Sequence, residues 1–330
     1  MCSGDIRRVV CVGSLILDMF PVRGGARIAE QECFYPAPGG AAGNVAAAVS
    51  RMGAGAAMVG KLGDDAFGRH IKKILRDEGV DVGGLVLDDR YRTTMNFHSV
   101  NADGSIEYLF YRNPGADTQL ARDEISPDIL DRAAVLHFDS LCFSHEPFNS
   151  TCRALINTAR ETGVVTSLDT NYREPVWPGD AWVTLMEGLV GEFDVVKMNM
   201  PELKLLYPHT DTRGVAEDLA SRGVKCVLIT DGENGCMSFY NGVFLRHGGF
   251  AVGVVDTIGC GDAFTGTFLA QISVRDCGIN DMPAAVLEEF IANANAAAAL
   301  TATKKGAMTA LPNKDEIMKL RNRRPAKYTC

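Results

Sequence analysis

The sequence predicts an α/β fold in which a mostly parallel central sheet carries helices on both faces. Short apolar runs recur along the chain, which is typical of strands buried on both sides of a sheet. Stretches with apolar residues at helical spacing lie between these runs, and strands that alternate with helices form βαβ units. The predicted strands are 9–13, 135–138, 164–168, 195–198 and 224–229, and the predicted helices are 42–52, 67–78, 149–160, 215–222, 262–273 and 291–302.

One region departs from this alternation. Residues 94–100 and 105–111 are rich in β-branched and aromatic side chains, and they flank the turn sequence 101–104. This pattern predicts an antiparallel hairpin that forms a small lid and packs on a ligand or on another subunit. Its aromatic side chains make a bare edge costly, so we expect two copies of the chain to pair through this hairpin as a homodimer.

The composition is that of a globular protein. The 330 residues are 46% apolar and 22% charged, which excludes intrinsic disorder, a collagen and a coiled coil. The formal charge is −8, and the dense basic stretch at 319–324 is expected to be a solvated tail, so we predict no nucleic-acid partner. Every apolar run falls short of the roughly 18 residues that a membrane span needs.

The cysteines favour a reducing compartment. The chain has 10 of them, and none forms a Cys-x-x-Cys pair, so a structural zinc site is not predicted. We expect reduced thiols and a cytoplasmic protein. The apolar run that follows Arg7 and Arg8 is interrupted by Asp18, which favours a buried strand over a signal peptide.

The segment 256–266, Asp-Thr-Ile-Gly-Cys-Gly-Asp-Ala-Phe-Thr-Gly, is the most informative part of the chain. We predict a strand over the valines at 252–255 before it and a helix from 262 after it. The glycines let backbone amides approach a ligand, and the start of a helix attracts an anion. A carboxylate at Asp262 would repel a phosphate, but it suits a base that takes a proton from a hydroxyl attacking that phosphate. On this segment alone, an ordinary Asp N-cap is the simpler interpretation.

Other glycine patterns do not predict a nucleotide fold of a different kind. The sequence at 53–58 lacks the third glycine of a dinucleotide fingerprint and follows a helix instead of a strand. A Gly-x-x-x-x-Gly-Lys-Ser/Thr loop is absent from the sequence. A phosphate donor would therefore be held in another way.

Two motifs resemble the signatures of the ribokinase-like, or PfkB, carbohydrate kinases. Residues 256–264 resemble the family's Asp-Thr-x-Gly-Ala-Gly-Asp-x-Phe pattern. Residues 39–44, Gly-Gly-Ala-Ala-Gly-Asn, followed by Gly53 and by Gly63 in Gly-Lys-Leu-Gly-Asp-Asp, resemble the other signature. The resemblance runs from about 9 to 312. It implies one ribokinase-like kinase domain over 1–330, with a β lid from about 19–35 and 92–113.

Within the family the sequence resembles the fructokinase branch. Residues 110–117, Phe-Tyr-Arg-Asn-Pro-Gly-Ala-Asp, are similar to that branch's Phe-Tyr-Arg-Asn-Pro-Ser-Ala-Asp segment. Residues 168–178 are similar to its Asp-Pro-Asn-x-Arg and Leu-Trp-Pro elements. The 2-keto-3-deoxygluconate kinases share part of these motifs, so they remain an alternative.

The resemblance implies a role for each matching residue. Asp262 would be the catalytic base, and the amides around Gly259, Cys260 and Gly261 would form the anion hole. The sugar would be bound by Asp18, Gly39, Gly40, Asn44, Arg112, Asp139 and Arg173, and the nucleotide by Asn199, Thr230, Gly232, Gly235 and Asn295. Glu202 would influence Mg²⁺ through water, and Asp256 with the carbonyl of Ile258 would hold a monovalent cation, K⁺.

Several of these residues have simpler interpretations. Asp18 also suits a turn, and Arg112 also suits the protein surface. Glu202 also suits the start of a helix after a proline. Asn295 also suits a hydrogen-bonded position on a helix surface.

Three positions depart from the family pattern. Cys260 replaces an alanine, and a thiol at a helix N-terminus can have a lowered pKa. The run Ala41-Ala42-Gly43 stands where ribokinases have a lysine. Asp139 stands where fructokinases usually have glycine and ribokinases an acid; it would add a sugar contact and disfavour a carboxylated substrate, or it is an ordinary turn or cap residue.

The function that the resemblance implies is an ATP-dependent sugar kinase, with fructose as the first choice of substrate and fructose 6-phosphate as the product. The alternatives are a 2-keto-3-deoxygluconate kinase and a nucleoside kinase. An alternative from another class is an inactive sugar or nucleotide sensor on the same fold. Asp262 and the Asn-x-x-Glu motif argue against the sensor, because a sensor needs no base.

Overall fold

The structure, a computed structural model, describes residues 7–103, 105–275 and 278–323. In chain order the strands are β1 (Arg8–Val12), β2 (Ile16–Pro21), β3 (Phe34–Gly39), β4 (Gly55–Gly63), β5 (Asp81–Asp88), β6 (Met95–Val100), β7 (Ile106–Tyr111), β8 (Ala133–Asp139), β9 (Val165–Asp169), β10 (Val195–Asn199), β11 (Cys226–Thr230), β12 (Cys236–Tyr240) and β13 (Val243–His247). The helices are α1 (Ala41–Arg51), α2 (Ala66–Asp77), α3 (Phe148–Thr162), α4 (Ala181–Leu189), α5 (Met200–Leu206), α6 (Thr212–Ser221), α7 (Cys260–Ser273), α8 (Ala284–Thr301) and α9 (Lys314–Arg323).

The large sheet has the strand order β13-β12-β11-β10-β9-β8-β1-β4-β5. All neighbours from β11 to β5 are parallel, and only the edge strands β12 and β13 pair antiparallel. The predicted α/β fold with a mostly parallel sheet is confirmed. The strands β4, β5, β12 and β13 are not among the predicted ones, and glycines interrupt the apolar pattern of β4 and β5.

The side chains of β1 show how the sheet is covered on both faces. Val9 and Cys11 belong to one apolar cluster, which is completed by helices α1, α2, α7, α8 and α9. Val10 and Val12 belong to a second cluster with α3, α4, α5 and α6. Successive side chains of a strand point to opposite faces, so the two clusters lie on opposite sides of the sheet, as predicted.

Helices α1 and α7 pack unusually close together at one point. A Cβ atom on Gly266 would lie 2.5 Å from the Cβ of Ala48 and 2.7 Å from the carbonyl oxygen of Val45. Only glycine allows this approach. The close packing brings the first turns of α1 and α7 side by side.

A second, smaller sheet has the order β3-β2-β6-β7. The pairs β2–β3 and β6–β7 are antiparallel, as predicted for the hairpin, but β2 and β6 run parallel. The predicted separate antiparallel β lid is therefore confirmed as a mostly antiparallel sheet, in which β6 adds to the edge of β2 in the same direction. Gly104, in the predicted turn, lies outside the described residues.

Two other expectations from the sequence are wrong. Residues 252–255 form no strand: the amides of Val255 and Asp256 donate to the carbonyl oxygen of Ala302, just after α8, so this stretch runs as a loop. The basic stretch is not a tail over residues 319–323, since these residues end α9, and Arg321 donates to the carbonyl oxygen of Glu289. Arg324 lies outside the described residues.

Two smaller expectations concern cysteines and membranes. The free thiols are Cys11, Cys33, Cys142, Cys152, Cys226, Cys236 and Cys260, and Cys2, Cys277 and Cys330 lie outside the described residues. Within the described ranges, no helix combines the length and apolar character that crossing a membrane would require.

Candidate active site

Polar residues collect where the central parallel strands end. Asp139 ends β8 and Asp169 ends β9, and the two residues are direct neighbours in the sheet register. Lys197, near the end of β10, is the register neighbour of Asp169 on its other side. Ligands of open α/β sheets bind beyond these carboxyl ends.

The glycine loop at the start of α7 lies above this row. Gly259 precedes the helix with a φ of +79°, and a Cβ there would lie 2.8 Å from the Cα of Ala307. The amide of Cys260 donates to the carbonyl of Thr257 at 3.3 Å, so it already has a partner. The first amides of a helix lack partners within the helix, which makes the start of α7 suited to an anion.

Lys197 adds a positive charge directly beneath this loop. A Cβ on Gly261 would lie 3.0 Å from the Lys197 Nζ atom. Lys197 also forms a buried ion pair with Asp169, with an Nζ–Oδ2 distance of 2.9 Å. Burial alone would lower the pKa of Lys197, but the carboxylates of Asp169 and Glu202 reverse the shift and raise it.

The Lys197–Asp169 pair is not among the predicted site residues. A lysine inside the apolar run 195–198 is the signal that could have indicated it. A charge on a strand buried on both faces needs a partner of opposite sign.

Asp262 lies in the first turn of α7, within hydrogen-bond distance of α1. The Asn44 Nδ2 atom donates to the Asp262 Oδ2 atom at 2.7 Å. Burial raises the pKa of Asp262, and the hydrogen bond from Asn44 opposes this shift. Arg173 and Lys197 also oppose it through their positive charges. The result is a carboxylate in a water-poor setting that can accept a proton from a nearby hydroxyl.

Asp18 belongs to the small sheet and faces the same region. Burial raises the pKa of Asp18 to about 6, Arg173 lowers it, and the charge of Asp262 raises it further. The Asn96 Nδ2 atom donates to the Asp18 Oδ1 atom at 2.9 Å. The sequence does not point to Asn96, because Asp18, its neighbour in the structure, is distant in the chain.

The two predicted sugar-side glycines are required by close contacts. A Cβ on Gly39 would lie 1.9 Å from the Asp18 Oδ2 atom. Gly40 has a φ of +99°, and a Cβ there would lie 2.2 Å from the carbonyl oxygen of Ser14. These glycines let the backbone pass directly beside Asp18.

Asp139 is fully buried and uses only one of its oxygens. Its Oδ1 atom accepts a hydrogen bond from the Leu141 amide at 2.9 Å, and it caps the short helix 140–143. Its Oδ2 atom has no partner among the described residues. Burial raises the pKa of Asp139 to about 7, and the carboxylates of Asp169 and Asp262 act in the same direction. Asp139 therefore has the cap role, and it keeps one buried oxygen without a partner among the described residues.

The two predicted arginines differ in their surroundings. Arg112 is buried and pairs with Asp117, with an Nη2–Oδ2 distance of 2.7 Å, so it is not a surface arginine. Its Nη2 atom also lies 3.1 Å from the Ser14 Oγ atom. Arg173 is exposed, and its charge acts on Asp18 and Asp262. Arg112 is thus fixed by the protein, whereas Arg173 is exposed and acts on Asp18 and Asp262 through its charge.

The Asn-x-x-Glu motif forms a reciprocal cap at the start of α5. The Asn199 side chain accepts from the Glu202 amide, and the Glu202 carboxylate accepts from the Asn199 amide. Glu202 also accepts from the Thr170 hydroxyl and from the Tyr172 amide. Three protein donors already occupy this carboxylate, which leaves about one of its roughly four acceptor sites for another ligand.

A cavity of about 320 Å³ opens next to the glycine loop. It is lined by Thr230, Gly232, Gly235 and Asn295 of the predicted nucleotide residues and by Cys260 and Gly261 of the predicted anion hole, but not by Asn199. Residues 249–252 and Val254 form another part of its wall. Its mostly apolar lining beside an anion site suits a ligand with a flat ring and phosphates.

Asp256 ties the loop before α7 to the segment after α8. Its carboxylate accepts from the Ile258 amide at 3.0 Å and from the Gly306 amide at 2.9 Å. The Ile258 carbonyl predicted to hold a cation lies within this tied loop. Across the described residues, no group of three or more His, Cys, Asp or Glu side chains is arranged to hold a metal ion directly.

The thiol of Cys260 does not have the lowered pKa that its helix position suggested. Burial raises its pKa to about 11, and the charges of Asp256 and Asp262 add to the shift. Burial is the largest cause of this rise in pKa, and the two carboxylates act in the same direction. Cys260 is thus a small neutral side chain in the loop.

Comparisons with known proteins agree with this geometry. Residues 6–314 match the pfkB family carbohydrate kinases. Fructokinase-1 of Oryza sativa subsp. japonica is 40% identical over 323 residues, which cover 96% of this chain and 98% of that protein. A fructokinase with bound ATP from Xylella fastidiosa superposes with a TM-score of 0.89 at 26% identity, over 96% of this chain and 99% of that one. A double mutant of the Vibrio cholerae O395 fructokinase, in fructose, ADP and potassium ion bound form, has a TM-score of 0.85 at 30% identity, over 96% and 99%.

The match therefore extends over almost the whole chain and includes both glycine signatures. The resemblance to the fructokinase branch is confirmed by these relatives. The chain belongs to the pfkB family of carbohydrate kinases, enzymes that phosphorylate sugar hydroxyls.

Proposed function

We propose that this protein is an ATP-dependent fructokinase that converts fructose to fructose 6-phosphate. The observation that carries the proposal is the meeting of Asp262, Asn44 and the glycine loop 259–261 at the start of α7. This meeting sets a proton acceptor beside an anion site. The fructokinases of rice, Xylella and Vibrio support the choice of substrate.

The proposed step is an in-line phosphoryl transfer. The oxygen of the C6 hydroxyl forms a bond to the γ-phosphorus, the bond from that phosphorus to the bridging oxygen of ADP breaks, and Asp262 takes the hydroxyl proton. Because the transition state is loose, positioning matters more than the strength of the base. The amides at the start of α7 and the Lys197 ammonium offset the negative charge on the transferred group.

Two cations belong to the proposal. Magnesium would neutralise the phosphates, and Glu202 would reach it through water, since magnesium gives up its water reluctantly. Potassium would lie by Asp256 and the Ile258 carbonyl. The potassium ion in the Vibrio structure supports the choice of potassium as the monovalent cation.

We further propose a cytoplasmic homodimer whose ligands are the sugar and ATP, with no nucleic-acid partner. The formal charge of −8 argues against a polyanion partner. The exposed Tyr108, Leu109 and Tyr111 on β7 favour pairing between two copies. The same small sheet would act as the lid that keeps water from competing with the sugar.

The test is an ADP-release screen with purified protein and MgATP. The acceptors are fructose, ribose, other hexoses, 2-keto-3-deoxygluconate and nucleosides, each with and without K⁺. We expect fructose to give the highest kcat/KM. The highest value for 2-keto-3-deoxygluconate or a nucleoside would overturn the substrate, and no ADP release above background for any acceptor would favour the sensor alternative.

A further inference from the structure

The side-chain amide of Asn96 has a hydrogen-bond partner at only one of its two ends among the described residues. It lies on β6 and is the register neighbour of Asp18 on the parallel strand β2. Its Nδ2 atom donates to the Asp18 Oδ1 atom at 2.9 Å. An ionised carboxylate only accepts hydrogen bonds, so the NH₂ group must be the end of Asn96 that faces Asp18.

The other end of Asn96 is left without a partner. The residue is only 6% exposed, and among the described residues its Oδ1 atom finds no donor. Buried carbonyl oxygens are rarely left unpaired, because desolvation without a hydrogen bond costs free energy. An oxygen of this kind beside a binding residue indicates a place for a donor on a ligand.

Asn44 shows the same arrangement on the other side of the site. Its Nδ2 atom donates to the carboxylate of Asp262, and its Oδ1 atom is buried with no partner in the described parts of the chain. Asp262 is close enough to Asp18 for its charge to raise the pKa of Asp18. The two side-chain amides thus each donate to one carboxylate and each keep one buried oxygen without a partner among the described residues.

We propose that Asn96 is a specificity-determining residue for the acceptor sugar: its Oδ1 atom accepts a hydrogen bond from one sugar hydroxyl, while its NH₂ group holds Asp18 for a second hydroxyl. This inference rests on the proposed sugar-kinase function. It implies a neutral polyhydroxylated acceptor, since hydroxyls supply the donors that these oxygens lack. A substrate carboxylate offers only acceptors and would face Asp18 and Asp262.

The test couples a protein change to a substrate change. Wild type, Asn96→Ala and Asn96→Ser are assayed with the preferred sugar and with its monodeoxy analogues. The matched control is Asn101→Ala, which removes the same side chain at the turn of the same hairpin. There the Asn101 Nδ2 atom donates to the Ser105 hydroxyl, and its Oδ1 atom is also buried without a partner among the described residues. For Asn96→Ala we expect kcat/KM for the preferred sugar to fall roughly tenfold, as for the loss of one or two hydrogen bonds, with KM for ATP unchanged.

One deoxy analogue should then identify the contacted hydroxyl. In wild type this analogue should have a lower kcat/KM than the full sugar, because it cannot donate to the Asn96 Oδ1 atom. In Asn96→Ala that oxygen is absent, so the analogue and the full sugar should have similar kcat/KM values. Loss of the hydrogen bond should also move the acid limb of kcat/KM to higher pH, since this bond lowers the pKa of Asp18 against the effect of burial. Arg173 and Asp262 are the other charges that act on Asp18, and the variant leaves them in place.

The possible outcomes distinguish a failure of the Asn96 contact from a failure of the proposed sugar-kinase function. If wild type phosphorylates a sugar but every deoxy analogue keeps its disadvantage in both Asn96 variants, Asn96 does not contact the sugar and the inference is wrong. If wild type phosphorylates no sugar at all, the proposed function itself fails. Thermal melting with ADP bound shows whether each variant is folded, and the serine variant replaces the alanine variant if the latter is not.

Discussion

The Asn44 side chain on α1 donates to Asp262 on α7 at 2.7 Å, so the two glycine signatures of the chain meet in one hydrogen bond. Gly266 makes this possible, because it lets the two helices approach one turn further along. The bond favours the charged form of Asp262 and so works against the rise in pKa that burial causes.

Removing this bond should change the pH dependence of the reaction. In Asn44→Ala the pKa of Asp262 should rise further, since a contact to the ionised form is lost. The base must be unprotonated, so the acid limb of the kcat profile should move to higher pH. The profile is measured from pH 5 to 9 with saturating ATP and sugar, and an unmoved acid limb would contradict the assignment of Asp262 as the base.

Asp262→Asn should retain the fold and lose turnover. The amide is nearly the same size as the carboxyl group, but it cannot take the proton. We expect kcat to fall by about 10²–10⁴, with KM for the sugar little changed. A variant that keeps more than about a tenth of the activity would show that another group accepts the proton, and thermal melting serves as the control for folding.

Lys197→Met should destabilise the protein. The change leaves the Asp169 carboxylate buried without its partner, and breaking a buried pair in this way costs about 3–5 kcal/mol. The double variant Lys197→Met with Asp169→Asn should recover much of the loss, because no uncompensated charge remains. Urea unfolding followed by circular dichroism measures the free energy of unfolding of both variants. Equal values for the single and the double variant would show that the ion pair does not contribute to stability.

Asp139→Asn should stabilise the free enzyme in a pH-dependent way. The raised pKa of Asp139, about 7, means that the folded state binds a proton more tightly than the unfolded state. Wild-type stability is therefore lost as pH rises from about 4 to 7. The asparagine keeps an acceptor for the Leu141 amide and carries no charge. The free energy of unfolding of Asp139→Asn should exceed that of wild type by an amount that grows over this pH range to about 1–4 kcal/mol. A difference that is the same at pH 5 and pH 8 would contradict the raised pKa of Asp139.

The face of β7 that carries the exposed Leu109 and Tyr111 should hold two copies of the chain together. Light scattering after size exclusion should give about 71 kDa, twice the chain mass of 35.5 kDa. Leu109→Glu puts a charge on this face, where Leu109 is 44% exposed, and should give the single-chain mass with little loss of thermal stability. A wild-type protein that is monomeric at micromolar concentration would rule out the dimer.

The parts of the site that the sequence could predict are those that depend on local backbone. Gly40 and Gly259 have positive φ values of +99° and +79°, which only a glycine adopts readily, so their motifs are visible in the chain. Asp262 follows from its place after such a loop. These residues can be predicted without knowing how distant strands pair.

The parts that it could not predict depend on pairing between distant segments. Asn96 meets Asp18 because β6 adds to β2 in parallel, a pairing that joins residues 78 positions apart. The valines at 252–255 have a strand-like composition, but the structure gives them the end of α8 as a neighbour instead of another strand. Local propensity yields to tertiary contacts in both cases.

The position of β1 within the large sheet has a consequence for how the chain folds as it is made. β1 is flanked by β4 and β8, so its second edge stays bare until residues 133–139 have left the ribosome. An unpaired apolar strand of this kind can join other chains, and such long-range parallel pairing is slow. Nascent chains that end before β8 should therefore depend on chaperones and aggregate without them, whereas chains that include it can close both sides of their first strand.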